Sequence, residues 1–308
     1  MKLTFATRPS HLARWQTQWV MDALQQAHPG LICEEKVITT RGDRMLDKPP
    51  AEIGGKGLFT QELEAELLSG SVDCAVHSLK DLPVENPDGL VIGCIPQRGE
   101  VRDAWVCAAE HTLHSLPAGA NVGTSSLRRA AQVLACRPDL AIAPLRGNVD
   151  TRLFKALEGH LDAIILAGAG LIRLDMQSYV TEWLSLDVML PAPGQGALAV
   201  QCRAEDASLL RLLAVLEDEA TCRAVTAERQ FLFGLGGGCA VPVGAYADVD
   251  RKDPQLKIRM RGLVVSPDGK QLIRVNGSGV DPRLLGEELA QQALSQGAGS
   301  LLFTAQPV

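Results

Sequence analysis

The feature that most constrains the fold of this chain is a short pattern that occurs twice. Residues 70–76 read Gly-Ser-Val-Asp-Cys-Ala-Val, and residues 159–165 read Gly-His-Leu-Asp-Ala-Ile-Ile. In both segments a glycine of the kind that ends helices precedes one polar residue and an apolar strand, with an aspartate at the same offset. We infer that the chain builds a related α/β unit twice. Chance similarity of two helix–strand boundaries is the alternative.

The predicted elements around the first copy alternate between strands and helices. We predict a strand over 2–7, a helix over 12–27 and a strand over 31–39. A further helix leads into the first copy and has an apolar stripe at every fourth residue, formed by Phe59, Leu63 and Leu67. Helices between such strands favour a parallel sheet, and two such units are typical of two-lobed proteins that hold a ligand in the cleft between the lobes.

Changes in composition along the chain predict three domains. Two segments rich in proline, glycine and charge, 96–102 and 191–196, have the character of hinges between two lobes. From residue 220 onward, helices over 221–233 and 283–296 flank three predicted strands, which indicates a smaller α+β domain. These strands cover 243–249, 256–265 and 271–275. The predicted domains are 1–97 with 196–216, then 102–191, and then 219–308.

Composition excludes several classes of protein. The 308 residues are 46% hydrophobic and 21% charged, which argues against a disordered or coiled-coil chain. The longest apolar run, 163–172, is too short for a membrane helix, and the N-terminus shows no signal-peptide pattern. A net charge of −6 without a basic run argues against nucleic-acid binding. We therefore expect a cytoplasmic protein without nucleic-acid or membrane partners, and we expect it to be a monomer.

The first candidate cluster for chemistry is residues 77–83, which follow a predicted strand. Ligands in open α/β sheets bind beyond the carboxyl ends of strands, so Lys80 and Asp81 stand where a reaction is expected. A carboxylate there can donate or accept a proton, or it can stabilise a cation. The alternative is a turn aspartate that pairs with the neighbouring lysine.

The second cluster, residues 123–129, enters a helix that is predicted to end near Cys136. Hydroxyls, free backbone N–H groups and two guanidinium groups together make an anion site, contributed by Thr124, Ser126, Arg128 and Arg129. Three more arginines follow predicted strands or begin helices of the same lobe: Arg146, Arg152 and Arg173. The pattern predicts a cleft for a polyanion. For each arginine taken alone, solvated surface is the alternative.

The third cluster is a glycine-rich loop, residues 235–242, that contains Cys239. The other seven cysteines lie in apolar runs or predicted helices, where thiols are usually inert, and no C-x-x-C pair occurs. No phosphate-loop motif is present, and His111 and His114 lack a third ligand nearby, so we predict no metal site. A thiol, a carboxylate and an arginine-lined cleft suggest an enzyme that holds a polycarboxylate, with Cys239 offering a covalent link.

Taken together, these segments resemble the hydroxymethylbilane synthase family, also called porphobilinogen deaminases. The similarity covers nearly the whole chain and is carried by ordered motifs at 6–10 (Ala-Thr-Arg-Pro-Ser), 40–43 (Thr-Arg-Gly-Asp), 54–59 (Gly-Gly-Lys-Gly-Leu-Phe), 75–81 (Ala-Val-His-Ser-Leu-Lys-Asp), 122–129, 145–149, 193–197 and 237–239. The resemblance implies two α/β lobes of the type II periplasmic-binding-protein kind and a smaller α+β C-terminal domain.

The resemblance also implies a transferase reaction of tetrapyrrole biosynthesis. Four porphobilinogen molecules would be joined head to tail, with loss of ammonia, to a dipyrromethane cofactor on a thioether to Cys239. Water would then release hydroxymethylbilane. By the same resemblance Asp81 is the catalytic residue, and the other cofactor contacts are Lys80, Thr124, Ser126, Arg128 and Arg129. The substrate and the growing oligopyrrole chain would contact Arg8, Ser10, Arg146, Arg152 and Arg173.

Two positions depart from the family pattern, and two other functions remain open from the residues alone. Gly236 often corresponds to an acidic residue, and Glu52 stands where some relatives have a basic one. A two-lobed sensor that binds a small polycarboxylate without turnover would explain the arginines, although not the thiol. A thiol-dependent acyl transferase would need a histidine paired with Cys239, and the sequence shows none in a recognisable arrangement.

Overall fold

The computed structural model describes residues 1–44, 57–236 and 241–303. Contacts divide the chain into two compact units, Met1–Gly99 with Gly196–Cys222 and Glu100–Gln195 with Arg223–Val308. None of the helices in these described ranges is long and apolar enough to cross a membrane.

The first unit contains a five-stranded sheet. Its strands are β1 (Lys2–Thr7), β2 (Ile32–Val37), β3 (Cys74–Ser78), β4 (Leu90–Cys94) and β10 (Leu198–Arg203). Its helices are α1 (His11–Ala27), α2 (Arg41–Arg44), α3 (Gln61–Leu68) and α7 (Ala207–Leu213), with short 3-10 turns at Leu79–Asp81 and Ala214–Leu216. The strand order is β2-β1-β3-β10-β4, in which β1, β2 and β3 are parallel and β10 is antiparallel to both of its neighbours.

Helices cover both faces of this sheet, as its apolar strands require. Helix α1 buries Val20 and Leu24 against one face, and α3 buries Leu63 and Leu67 against the other. Helix α3 ends before Gly70, which has a φ of +74°, so the predicted helix-ending glycine is confirmed.

The second unit contains a sheet of the same topology. Its strands are β5 (Asp103–Val106), β6 (Asn121–Gly123), β7 (Ala141–Ala143), β8 (Ala163–Ala167) and β9 (Glu182–Trp183), and its helices are α4 (Leu127–Cys136), α5 (Val149–Leu157) and α6 (Gly168–Arg173). The order is β7-β6-β8-β5-β9, with β6, β7 and β8 parallel and β5 antiparallel. The repeated sequence pattern runs into β3 in one sheet and β8 in the other. These strands hold equivalent places, which confirms the repeated unit.

The last part of the chain is a three-stranded antiparallel sheet with helices. It consists of α8 (Glu219–Gly234), β11 (Val243–Val249), β12 (Ile258–Val265), β13 (Leu272–Gly279), α9 (Pro282–Ser295) and α10 (Ala298–Phe303), with strand order β11-β12-β13. One face of β12 packs Met260 and Val264 into the core with α8 and α9. The other face packs Leu263 and Val265 against Ala131 of α4 and against Leu190.

These sheets confirm the predicted fold class of two α/β lobes and a smaller α+β part. Three predicted strands have different bounds. The strand expected over 31–39 is shorter and covers Ile32–Val37. The strand expected over 256–265 begins at Ile258, because Leu256 has a φ of +48° and belongs to the preceding turn. The strand expected over 271–275 continues to Gly279, paired along its whole length with β12.

Gly269, in the turn between β12 and β13, lets the C-terminal sheet approach α4 closely. It has a φ of +74°, and a Cβ there would lie 2.5 Å from the Ala135 nitrogen and 2.8 Å from the Ala131 carbonyl oxygen. Both atoms belong to the backbone of α4 and cannot move aside.

We therefore expect Gly269→Ala to lower the free energy of unfolding by about 1–3 kcal/mol more than Gly119→Ala. Gly119 is the matched control because it has a similar φ of +78° and open space around it. Both variants carry the left-handed strain of about 1–2 kcal/mol. Urea denaturation of the two proteins measures the difference. Equal losses would show that the turn does not depend on this contact.

Candidate functional site

In the first unit, the predicted site residues follow the parallel strands. Arg8 and Ser10 come directly after β1, and Lys80 and Asp81 follow β3. Because the carboxyl ends of parallel strands β1, β2 and β3 meet at one edge of the sheet, these four residues lie along the same edge.

Arg8 is held by a residue that the sequence did not single out for a role. Its Nε and Nη2 donate to the two carboxylate oxygens of Asp43, at 3.2 and 2.5 Å, and its guanidinium lies 4.1 Å from the centre of the Phe59 ring. Burial alone would raise the pKa of Asp43, but the ion pair with Arg8 and hydrogen bonds from Thr40 outweigh burial and lower the pKa. The charge of Arg8 is thus balanced within the unit.

Asp81 is exposed and follows a backbone segment that is anchored by a hydrogen bond. Leu79, two residues before Asp81, is fully buried, and its N–H donates to the Ala197 carbonyl oxygen at 3.0 Å. Asp81 makes no hydrogen bond or ion pair with the described residues, so its oxygens can accept hydrogen bonds from a ligand. Lys80 is half-buried beside it. Ser10 caps α1, since its Oγ accepts the Ala13 N–H at 3.3 Å.

A buried polar cluster lies on the strand that leads to Asp81. His77 of β3 is 6% exposed and shares a sheet face with Gln201 of β10, whose Nε2 donates to Glu64 of α3 at 3.5 Å. Burial lowers the pKa of His77 to about 4, aided by the charge of Arg8 and opposed by Gln201. Within the described chain, His77 Nε2 and Gln201 Oε1 lack a well-aligned hydrogen-bond partner. The imidazole is therefore neutral at neutral pH.

In the second unit, the predicted arginines and hydroxyls lie in the loops and helices that follow three parallel strands. Strands β6, β7 and β8 are parallel, so their carboxyl ends share one edge. The residues that follow them there are Thr124, Ser126, Arg128 and Arg129 after β6, Arg146 and Arg152 after β7, and Arg173 at the end of α6. The segments that leave this edge of the sheet therefore carry all seven residues.

Side-chain and backbone hydrogen bonds fix these loops to one another. The Ser125 hydroxyl donates to the Leu145 carbonyl oxygen at 2.9 Å and accepts the Leu145 N–H at 3.0 Å. The Arg152 Nε donates to the Gly147 carbonyl oxygen at 2.7 Å. Burial lowers the pKa of Arg173 to about 10, so its guanidinium stays charged at neutral pH.

Arg128 and Arg129 are buried and share one carboxylate, that of Asp103. Arg128 Nη1 donates to Asp103 Oδ2 at 2.8 Å, and Arg129 donates to Oδ1 through Nε at 3.0 Å and Nη2 at 2.7 Å. Gln195 Nε2 adds a fourth hydrogen bond at 3.1 Å. No role for Asp103 was predicted from the sequence. An aspartate at the start of the otherwise apolar strand β5 is a signal that could have revealed it, because a buried carboxylate needs partners.

The residues of this edge fit a cofactor with carboxylate groups. Arg128 Nε is buried and lacks a hydrogen-bond partner in the described part of the chain. The Thr124 oxygen accepts the Ser126 N–H at 3.2 Å and the Ser126 oxygen accepts the Arg129 N–H at 3.5 Å, while neither hydroxyl donates to a described residue. Donors without acceptors at a positively charged site are suited to an anion.

The predicted attachment residue, Cys239, lies outside the described residues, as does Glu52. Gly236 has a φ of +66° with open space around it, so the left-handed backbone suits the glycine that stands there. Burial raises the thiol pKa at four of the other cysteines, Cys33, Cys74, Cys94 and Cys202, which disfavours reactive thiolates at these positions. Within the described ranges, no three His, Cys, Asp or Glu side chains converge as metal ligands.

Comparisons with known proteins agree with the sequence resemblance. Residues 3–211 match the family described as "Porphobilinogen deaminase, dipyromethane cofactor binding domain", and residues 222–295 match "Porphobilinogen deaminase, C-terminal domain". The chain is 50% identical to the porphobilinogen deaminase of Brevibacillus brevis, over 98% of this chain and 96% of that protein. It is 50% identical to that of Roseiflexus sp., over 97% and 98%, and 48% identical to that of Bacillus pumilus, over 96% and 94%. The expected family and cofactor are thereby confirmed.

The buried imidazole of His77 makes stability depend on pH. The unfolded chain takes up a proton near the usual histidine pKa of about 6.5, whereas the folded protein does so only near pH 4. Stability is therefore lost as the pH falls from 6.5 to 4, by roughly 3 kcal/mol. We expect His77→Gln to remove this loss, as measured by urea denaturation between pH 7 and 4.5. His160→Gln is the control, because it removes a histidine that is exposed. An unchanged pH dependence in His77→Gln would contradict the assignment.

Proposed function

The chain belongs to the porphobilinogen deaminase family, and we propose that it is a transferase that joins four porphobilinogen molecules head to tail on a dipyrromethane primer bound to Cys239. Ammonia leaves at each addition, and hydrolysis releases hydroxymethylbilane. One structural observation carries the proposal: at the carboxyl edge of the first sheet, the exposed carboxylate of Asp81 is fixed by its backbone and makes no hydrogen bond or ion pair with the described residues.

Asp81 acts by electrostatics on the substrate. When the amino group of porphobilinogen departs, a cation is left on the pyrrole, and a fixed carboxylate lowers the energy of that cation. The same oxygens accept hydrogen bonds from pyrrole N–H groups and assist the proton transfers that accompany carbon–carbon bond formation. An aspartate already paired with an arginine, such as Asp43, would be less effective, because its charge is balanced.

The arginine edge of the second unit acts on the carboxylates of the substrate. Each porphobilinogen brings an acetate and a propionate, so negative charge accumulates as the chain grows. Arg146, Arg152 and Arg173 would neutralise this charge, with Arg8 and Ser10 serving the substrate in the first unit. Charge-assisted hydrogen bonds from guanidinium groups are well suited to carboxylates.

Dipyrromethane, when bound, supplies the free pyrrole carbon to which the first porphobilinogen is joined. Cys239 would retain it by a thioether. Lys80, Asp81, Thr124, Ser126, Arg128 and Arg129 would hold its rings and side chains. We further propose that the second unit comprises two domains, 102–191 and 219–308, that the first domain is 1–97 with 196–216, and that the protein works as a monomer in the cytoplasm.

Asp81 is the side chain to which we expect turnover to be most sensitive. Asp81→Asn keeps the shape but removes the charge that faces the cation, which should slow porphobilinogen consumption by about 100- to 1,000-fold. Asp81→Glu keeps the charge at a displaced position, so it should retain more activity than the asparagine variant. Wild-type turnover in Asp81→Asn would remove Asp81 from the mechanism.

The covalent link separates the enzyme from a two-lobed sensor that binds a polycarboxylate without turnover. A thioether keeps the primer while the product leaves, so the denatured protein should weigh more than its sequence by one dipyrromethane. Peptide mapping should place that mass on Cys239, and Cys239→Ala should fold, lack the mass and be inactive. Cys136→Ala, at an exposed helical thiol, is the matched control and should keep both mass and turnover. An unmodified mass in active wild-type protein, or an adduct on another cysteine, would overturn the proposal.

A further inference from the structure

The ion cluster of Asp103, Arg128 and Arg129 is buried and unequal in charge. Asp103 is fully buried, and the two arginines are 4% and 6% exposed. Within the described chain, Asp103 is the single carboxylate that pairs with either guanidinium. Two cations and one anion leave the cluster with a formal charge of +1.

The surrounding polar groups add hydrogen bonds without adding negative charge. Arg128 Nη1 also donates to the Leu190 carbonyl oxygen at 2.8 Å, and Arg129 Nη1 donates to that of Ile165 at 3.1 Å. Gln195 is fully buried and divides its amide N–H groups between Asp103 and the Val101 carbonyl oxygen. Carbonyl and amide groups orient the guanidinium groups, whereas Asp103 is the one described residue that offsets their charge.

Two buried guanidinium groups repel each other, and a buried charge without a counter-ion is strongly destabilising. Burial lowers the pKa of Arg128 and Asp103 opposes this effect, which shows the same competition. Removing Asp103 would raise the formal charge of the cluster to +2. The cost should therefore depend on whether another anion is bound at the pair.

Resting on the proposed function, we propose that Asp103 is the internal counter-ion that keeps Arg128 and Arg129 in place until the carboxylates of the cofactor arrive. Before attachment, Asp103 supplies all of the negative charge at the pair. After attachment, the cofactor carboxylates share that task. Asp103 is thus a positioning residue whose importance for stability is greatest in the cofactor-free protein.

The test is the melting temperature of Asp103→Asn in two backgrounds, the protein with its cofactor and the cofactor-free Cys239→Ala protein. Intact mass establishes the state of each sample. We expect Asp103→Asn to lower the melting temperature by about 6–15 °C in the cofactor-free protein and by less than half of that with the cofactor bound. Equal losses in both backgrounds would overturn the proposal and leave the proposed function intact, because the mass reports the cofactor separately.

Asp187→Asn is the matched control, since Asp187 pairs with Arg261 at 2.7 Å in the same unit but is 88% exposed. It should leave the melting temperature nearly unchanged in both backgrounds. If Asp103→Asn yields no folded cofactor-free protein, the double variant Asp103→Asn with Arg128→Met decides, because it restores the formal charge of +1. Recovery of a folded, cofactor-free double variant supports the proposal, and failure to recover it overturns the proposal.

Discussion

The second unit depends on one buried carboxylate. Asp103 begins the antiparallel strand β5, and it joins three stretches of chain that are distant in sequence: the start of α4, the segment around Gln195 and its own strand. Charge-assisted hydrogen bonds in a buried site are strong only when every donor and acceptor is aligned. The orientation of Arg128 and Arg129, and with it the anion-binding character of this sheet edge, therefore follows from a residue that touches neither substrate nor cofactor in the proposed roles.

The repeated sheet topology explains why the candidate residues fall into two groups. In each sheet three parallel strands end at one edge, and the loops beyond that edge carry polar side chains while the strands carry apolar ones. The first unit places a carboxylate, Asp81, at its edge, and the second places arginines there. The carboxylate and most of the predicted guanidinium groups therefore belong to different sheets.

Much of the fold and most of the candidate residues could be predicted from the sequence because their signals are local. Strands such as β1 and β11 have the predicted bounds, the cap Ser126 precedes α4, and the repeated pattern marks β3 and β8. The ion pairs could not be predicted. Asp103 lies 25 residues from Arg128, and Asp43 lies 35 residues from Arg8. Such pairs form only when the sheet brings distant loops together, and no periodicity records them.

The two units also differ in how completely they satisfy their own charges. The Arg8–Asp43 pair is balanced and stacked on Phe59, so it contributes shape and hydrogen bonding to its edge more than net charge. The Arg128–Arg129 pair keeps one positive charge in excess, at a depth where water screens it poorly. Under the proposed function, a ligand whose carboxylates increase in number is retained mainly by the second unit. The first unit supplies for the reacting pyrrole the carboxylate of Asp81, which has no ion-pair partner among the described residues.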